Sequence, residues 1–250
     1  MFELIELHAR PEVPEVEYRR LLGYPRRHVL EGRARELADE ARAWFSAHGR
    51  PWIFGREFAA RPTVGERVEI GGQEFRSPRL AETFNAAGAH GAVVVAVSAG
   101  PECEETARRH WQEARPDEYF FLEMFGSAVV EQLITQASGR ICAWAGERQL
   151  AVLPHFSPGY SGWNIADQVK LGLLLTAAAA LPGPLEVLES GMLRPKKSLL
   201  AVFGLTKNAA EAGRFARLIP CETCSLPGCQ YRRAAYRRAS AQFEEIGSLA

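Results

Sequence analysis

No stretch of this 250-residue sequence stays apolar long enough to cross a bilayer. The longest candidate, VKLGLLLTAAAALPG from Val169, is broken at its second position by Lys170. The N-terminus, MFELIELHARPEVPEV, sets Glu3 and Glu6 among its apolar residues and has no basic segment ahead of a hydrophobic one, so it does not read as a secretion signal. Neither sign of charge is in excess. Thirty Lys and Arg balance 30 Asp and Glu, which leaves no global field to draw in nucleic acid or anionic lipid. Cysteine is scarce and uneven: of five, Cys103 and Cys142 stand alone, while Cys221, Cys224 and Cys229 cluster near the C-terminus. A secreted disulfide framework spreads its pairs along the chain, so the expected compartment is the reducing cytoplasm. The glycine-rich phosphate loops, the His-Glu-x-x-His zinc motif and the Gly-x-Ser-x-Gly nucleophile turn are missing too. The common nucleotide, metalloprotease and hydrolase readings lose their main support.

What remains is an ordinary globular composition, 47% hydrophobic and 24% charged, in a chain able to bury one large core. Helical spacing over 31–49 predicts a helix stopped by Gly49. RPWIFGREF and ERVEIGGQEF read as strands, the second bent at its Gly-Gly pair, and GAVVVAVSAG (91–100) as a buried strand. A helix opening at Pro101 and a long buried helix over 117–139 follow, then a strand over 141–153. Asn164 is expected to cap the helix IADQVKLGLLLTAAAAL. PLEVLES and KSLLAVFGL read as strands joined by a turn too long for a two-residue hairpin. A helix over 208–218, a cysteine loop and a charged helix close the chain. The expected fold is α+β: one domain with a twisted, mostly antiparallel sheet flanked by helices, an N-terminal helical portion, and a C-terminal cysteine loop and helix. Its portions are expected at 1–90, 91–218 and 219–250, packed as one compact unit.

Two clusters can carry chemistry. The first is HFSPGYSGW, 155–163, too irregular for a strand and too rich in helix breakers for a helix. Pro158 fixes one φ angle and Gly159 opens conformations closed to other residues, so together they can hold backbone polar groups at a set angle. Tyr160 and Trp163 add flat apolar walls with polar edges, suited to a nucleobase or a sulfonium. A plain turn into the helix at Asn164 explains the same residues. The second cluster is Cys221-x2-Cys224-x4-Cys229, set among Pro220, Pro227 and Gly228. Such a backbone lets thiolates converge on zinc or an iron–sulfur cluster, but three ligands are one short of a closed site, and surface or redox-labile thiols remain an alternative.

The order HFSPGYSGWNIADQVKLGLLL, then LEVLESGMLRPKKSLLAVFGL, resembles the activation (reactivation) domain of cobalamin-dependent methionine synthase. In that family an Arg-x-x-Pro-Gly-Tyr loop opens the S-adenosylmethionine site. A helix, a strand ending in Glu-Ser, a Met-containing turn with a proline, and a serine starting the next strand come after it. Pro158-Gly159-Tyr160, Glu189-Ser190, Met192, Pro195 and Ser198 fall into those places. YRRLLGYPRR, the GSAVVEQL helix around Glu131, and CETCSLPGCQYRR look like the shorter, free-standing members of the group.

The resemblance implies an S-adenosylmethionine-binding protein, with His155, Pro158, Gly159, Tyr160, Glu189 and Met192 as cofactor contacts and no catalytic nucleophile of its own. It further implies support for the reductive methylation of cobalamin carried by a partner, either a corrinoid protein or a methionine synthase core. The electron would come from a flavodoxin- or ferredoxin-type donor. The chain lacks the Asp-x-His-x-x-Gly stretch of a corrinoid module. It departs from the family at one position: His155 stands where the arginine that grips the methionine carboxylate is expected. Histidine offers a single directed donor and a charge that comes and goes near neutral pH, where arginine offers a permanent bidentate fork. Arg194, Lys196 and Lys197 are candidate replacement cations, Glu131 a candidate for the ligand's ammonium, and Arg233 with Arg237 a candidate dock for an acidic partner. Each also reads as an ordinary solvated residue. Two other functions stay open: a zinc, iron–sulfur or redox protein working through Cys221, Cys224 and Cys229, and a non-catalytic S-adenosylmethionine sensor.

Overall fold

A computed structural model describes residues 1–25 and 27–217. The cysteine cluster and the arginines at 233 and 237 therefore lie outside the described residues. The described chain is α+β, built on one seven-stranded sheet in the order β4-β3-β2-β5-β9-β6, with β1 also on β2. The strands are β1 (Glu3–Leu7), β2 (Trp52–Pro62), β3 (Arg67–Ile70), β4 (Gln73–Arg76), β5 (Gly91–Ser98), β6 (Ala151–Val152) and β9 (Ser198–Thr206). Each neighbouring pair is antiparallel, and β7 (Glu186–Val187) and β8 (Leu193–Arg194) form a separate small hairpin.

The sheet is covered on both faces, and β5 shows why its sequence is a continuous apolar run. Every residue of GAVVVAVS is buried. Val93, Val95 and Val97 point into one core, with Ala201 and Phe203 of β9, under α1 (Glu15–Leu21), α2 (Gly32–His48), α4 (Pro101–Gln112) and α5 (Pro116–Gly146). Ala92, Val94 and Ala96 point into the other, with Leu200 and Val202, under α3 (Pro78–Ala87), α6 (Gln168–Ala178) and α7 (Ala209–Ala216). The period-2 alternation of a strand thus serves two hydrophobic cores at once.

Four sequence expectations are corrected. The long helix does not stop at Gly139: Ala137, Ile141 and Ala145 continue one fully buried stripe, and α5 runs to Gly146. It closes with Gln149 at a positive φ and Leu150 N–H bonded to the Ala145 carbonyl, an end motif whose usual marker, glycine, is absent. The strand expected over 141–153 is accordingly reduced to Ala151–Val152. PLEVLES contributes only Glu186–Val187, because its partner is Leu193–Arg194, inside what read as a turn. Finally, α3 was not anticipated from periodicity, although its punctuation is present: Ser77 caps it, Pro78 opens it, and Gly88 at φ 61° ends it.

Candidate functional site

The 155–163 loop begins as an extension of β6 along the outer edge of β9. Leu153 N–H donates to the Gly204 carbonyl at 2.8 Å, and Phe156 exchanges two backbone hydrogen bonds with Val202 at 3.0 and 2.8 Å. One step on, the buried Ser157 hydroxyl donates to the Leu200 carbonyl at 2.7 Å, so a side chain continues where the ladder ends. From that anchor the chain turns tightly. Tyr160 N–H donates to Ser157 O, Gly159 N–H to Trp163 O, and Trp163 N–H to Tyr160 O, at 3.0, 2.9 and 2.9 Å. Gly159 holds φ at 96°, which L side chains rarely adopt. Asn164 then accepts from Ala166 N–H at 3.0 Å and opens a 3-10 turn, Ile165–Asp167, that feeds α6.

Of the loop's two aromatic walls, only one faces outward. Tyr160 is 41% exposed, with its hydroxyl 3.2 Å from His155 Nε2, and the half-buried imidazole rests against the Phe203 ring at 5.5 Å. Trp163 is buried, and packs edge-on against Phe75 at 5.9 Å.

The second predicted segment reaches the same place from another direction. The turn between β7 and β8 closes through Gly191 N–H to Leu188 O at 2.8 Å and Leu188 N–H to Met192 O at 2.9 Å. Gly191, at φ 82°, lies flat on the 3-10 turn, and a Cβ there would fall on the Ile165 carbonyl. A Cβ on Gly159 would stand 3.7 Å from the Ile165 side chain. Ile165 therefore sits between the two segments, and the fold brings the Pro158-Gly159-Tyr160 loop and the Glu189–Met192 turn onto one shelf. Tyr160, Ile165 and Met192 are exposed there, and so are Glu189 and Ser190.

The candidate replacement cations are held by carboxylates of the protein. Lys196 and Lys197 both meet Glu123, a buried carboxylate on α5, with Nζ to oxygen distances of 3.0 and 3.1 Å. Lys197 also donates to the Ser127 hydroxyl at 2.8 Å, and Lys196 N–H donates to a Glu104 oxygen at 2.9 Å. Burial alone would lower the Lys196 ammonium, but the Glu123 carboxylate outweighs it and holds it above its ordinary value. Arg194 pairs with Glu186 across the hairpin at 2.9 Å. Each of the three cations thus has a carboxylate partner within the protein. Glu131 lies half-buried on α5. Among the described residues no group of three or more His, Cys, Asp or Glu side chains is placed to hold a metal ion, and Cys221, Cys224 and Cys229 lie outside them.

Three residues that frame the shelf, Ser157, Ile165 and Asp167, were not singled out from sequence, and neither was Glu123, the partner of the two lysines. Ser157 and Ile165 carry no signal beyond their proximity to the loop. Asp167, four residues after Trp163, has the spacing of a side-chain pair at a helix start. Glu123 is the counter-charge that two adjacent lysines next to a buried strand demand.

No protein-family model matches this chain, and no curated protein matches it. Among solved structures it is similar to the MetH reactivation domain bound to AdoHcy, with a TM-score of 0.52 and 14% identity over 68% of this chain and 65% of that one. The likeness is one of fold, and the chain spans just under two thirds of that domain. Among the described residues, no helix is long and apolar enough to cross a membrane.

Proposed function

We propose that the protein binds S-adenosylmethionine and its demethylated product, S-adenosylhomocysteine, on the shelf formed by the Pro158-Gly159-Tyr160 loop and the Glu189–Met192 turn. The observation that carries this reading is the meeting of those two segments over Ile165, in a chain with the fold of the MetH reactivation domain. The donor set suits such a ligand. The Tyr160 ring and the Met192 side chain offer exposed apolar faces to an adenine or a sulfonium, Glu189 offers a carboxylate to an ammonium, and His155 beside Tyr160 offers an N–H to a carboxylate. The loop is fixed before any ligand arrives, since its backbone is tied to β9 through Phe156 and Ser157, and preorganisation lowers the ordering cost of binding.

In this reading the protein serves a partner that carries a corrinoid, and the shelf supports its reductive methylation. S-adenosylmethionine supplies the methyl group as a sulfonium, and a flavodoxin- or ferredoxin-type protein supplies the electron. The chain itself contributes binding and orientation: it holds the ligand at an open face where a second protein can reach it, and it offers no nucleophile.

Calorimetry tests the proposal. Wild-type protein should release heat with either ligand, and Gly159→Val should not bind detectably. Space is not the obstacle at Gly159, where the nearest atom to an added Cβ is 3.7 Å away; the φ of 96° is. No heat from wild type at millimolar ligand overturns the reading.

A further inference from the structure

We propose that Asp167 is a positioning residue for the ligand loop, acting on it through the Trp163 indole; this rests on the reading of that loop as the ligand anchor. Trp163 is the residue on which the loop closes: its carbonyl accepts from Gly159 N–H and its own N–H donates to the Tyr160 carbonyl, both at 2.9 Å. Its indole is buried, with Nε1 donating to Asp167 Oδ2 at 3.0 Å. The other carboxylate oxygen, Oδ1, meets Lys170 Nζ at 2.8 Å. Lys170 in turn donates to the Glu74 carbonyl at 3.0 Å and lies 5.5 Å from the centre of the Phe75 ring. Phe75 packs edge-on against the Trp163 indole and closes the circuit. The loop is thus braced from behind by the start of α6, which follows it directly, and by β4, which lies some ninety positions away in sequence.

The position of Asp167 in the chain strengthens the assignment. It is the last residue of the 3-10 turn that runs into α6, and the capping of that helix start is done by Asn164, which leaves the Asp167 carboxylate free for other partners. Its two oxygens go to Trp163 and Lys170, on a side chain only 12% exposed. A buried carboxylate needs charged or aligned donors, and here it has one of each kind. Lys170 neutralises the charge, and the indole N–H takes the direction. Losing the carboxylate removes the acceptor of the indole N–H and frees Trp163 to shift, and the Gly159 and Tyr160 backbone bonds that depend on it shift with it.

Amide hydrogen exchange on the full chain reads this directly, without ligand. In Asp167→Ala the Gly159, Tyr160 and Trp163 amides should exchange about ten-fold faster or more, while the β9 amides of Leu200–Phe203 keep their wild-type protection. Trp163→Phe keeps an aromatic ring, though a smaller one, and removes the donor, and should loosen the same three amides; it carries the test alone if Asp167→Ala unfolds. Asp167→Asn keeps an acceptor for the indole and should restore most of the protection, an outcome that lost charge alone would not give. Adding S-adenosylhomocysteine, affinity should fall about ten-fold in both Asp167→Ala and Trp163→Phe, and the double variant should be no worse than either single one. Wild-type protection of the three amides in Asp167→Ala and Trp163→Phe overturns the proposal. If wild type fails to bind the ligand, the functional reading falls, while the exchange data still decide whether Asp167 sets the loop.

Discussion

Replacing Glu123 with glutamine removes one negative charge and strands two positive ones. Lys197 is the critical partner, because its side chain is 12% exposed, against 40% for Lys196. At 3.1 Å and an effective dielectric near 20, the Coulomb attraction of one such pair is about 5 kcal/mol before desolvation is subtracted. Once the carboxylate is gone, Lys197 keeps only the Ser127 hydroxyl, and an uncompensated buried charge of this kind costs about 3–5 kcal/mol. For a chain of this size that corresponds to a fall of roughly 6–20 °C in Tm. Lys196 reaches water, so Lys196→Met should change stability by about 1 kcal/mol or less. The double variant Glu123→Gln/Lys197→Met should recover most of the loss, since an amide with an apolar neighbour is far cheaper to bury than a lone ammonium. Urea unfolding of wild type, Glu123→Gln, Lys197→Met and the double variant, analysed as a double-mutant cycle with Lys196→Met measured beside it, gives each quantity. If Glu123→Gln loses less than about 1 kcal/mol, or the double variant is as unstable as the single, the charge argument is wrong.

Further outcomes follow from neighbouring geometry. Gly191→Ala adds a Cβ onto the Ile165 carbonyl at φ 82°, whereas Gly72→Ala adds one into open space at φ 81°. Urea unfolding should show about 1 kcal/mol lost at Gly72 from φ alone and clearly more at Gly191; equal losses would deny the close packing of the hairpin on the 3-10 turn. Burial, with the Glu123 charge adding to it, pushes the Cys103 thiol up to about 12. Above about pH 9 the unfolded chain gives up this proton while the folded one retains it, so stability falls with rising pH, by at most about 1.4 kcal/mol per unit from this group. Cys103→Ala should make the alkaline slope between pH 9 and 12 shallower, and an unchanged slope would exclude Cys103 as a source. At the shelf, His155→Arg should tighten S-adenosylmethionine binding about ten-fold in calorimetry, because a guanidinium is permanently charged and bidentate. Binding indifferent to both His155→Arg and His155→Ala would remove His155 from the ligand's surroundings.

The two-faced core was legible in GAVVVAVS because continuous burial leaves an unbroken apolar run, and the irregular 155–163 loop was legible because helix breakers sit beside aromatics. The end of α5 was not. Gly139 faces outward and costs the helix about 1 kcal/mol relative to alanine, a loss that the buried stripe on the opposite face outweighs, so the glycine that reads as a stop is only a weak spot on a helix held by packing. The pairing of β7 with Leu193–Arg194 was hidden for a different reason: two-residue strands carry no periodicity to detect. At the site, sequence order identified both segments but not their meeting, because the contact is made by backbone at Gly191 and Ile165 and backbone has no letter. The partner of Lys196 and Lys197 was hidden as well, because Glu123 lies more than seventy positions away.

The central strand also constrains how the protein is made. β5 is hydrogen-bonded to β2 on one side, but its other edge waits for β9, with Gly91 paired to Leu205 and Ser98 to Ser198. At a synthesis rate of about 5–20 residues per second, the hundred or so residues between them take roughly 5–20 s to emerge. Through that interval GAVVVAVS presents an uncharged, valine-rich edge with no partner, the kind of segment that pairs with a neighbouring chain. Nascent chains on crowded ribosomes, and any fragment cut before Ser198, are therefore the forms of this protein that should aggregate or require a chaperone, whatever the stability of the finished fold.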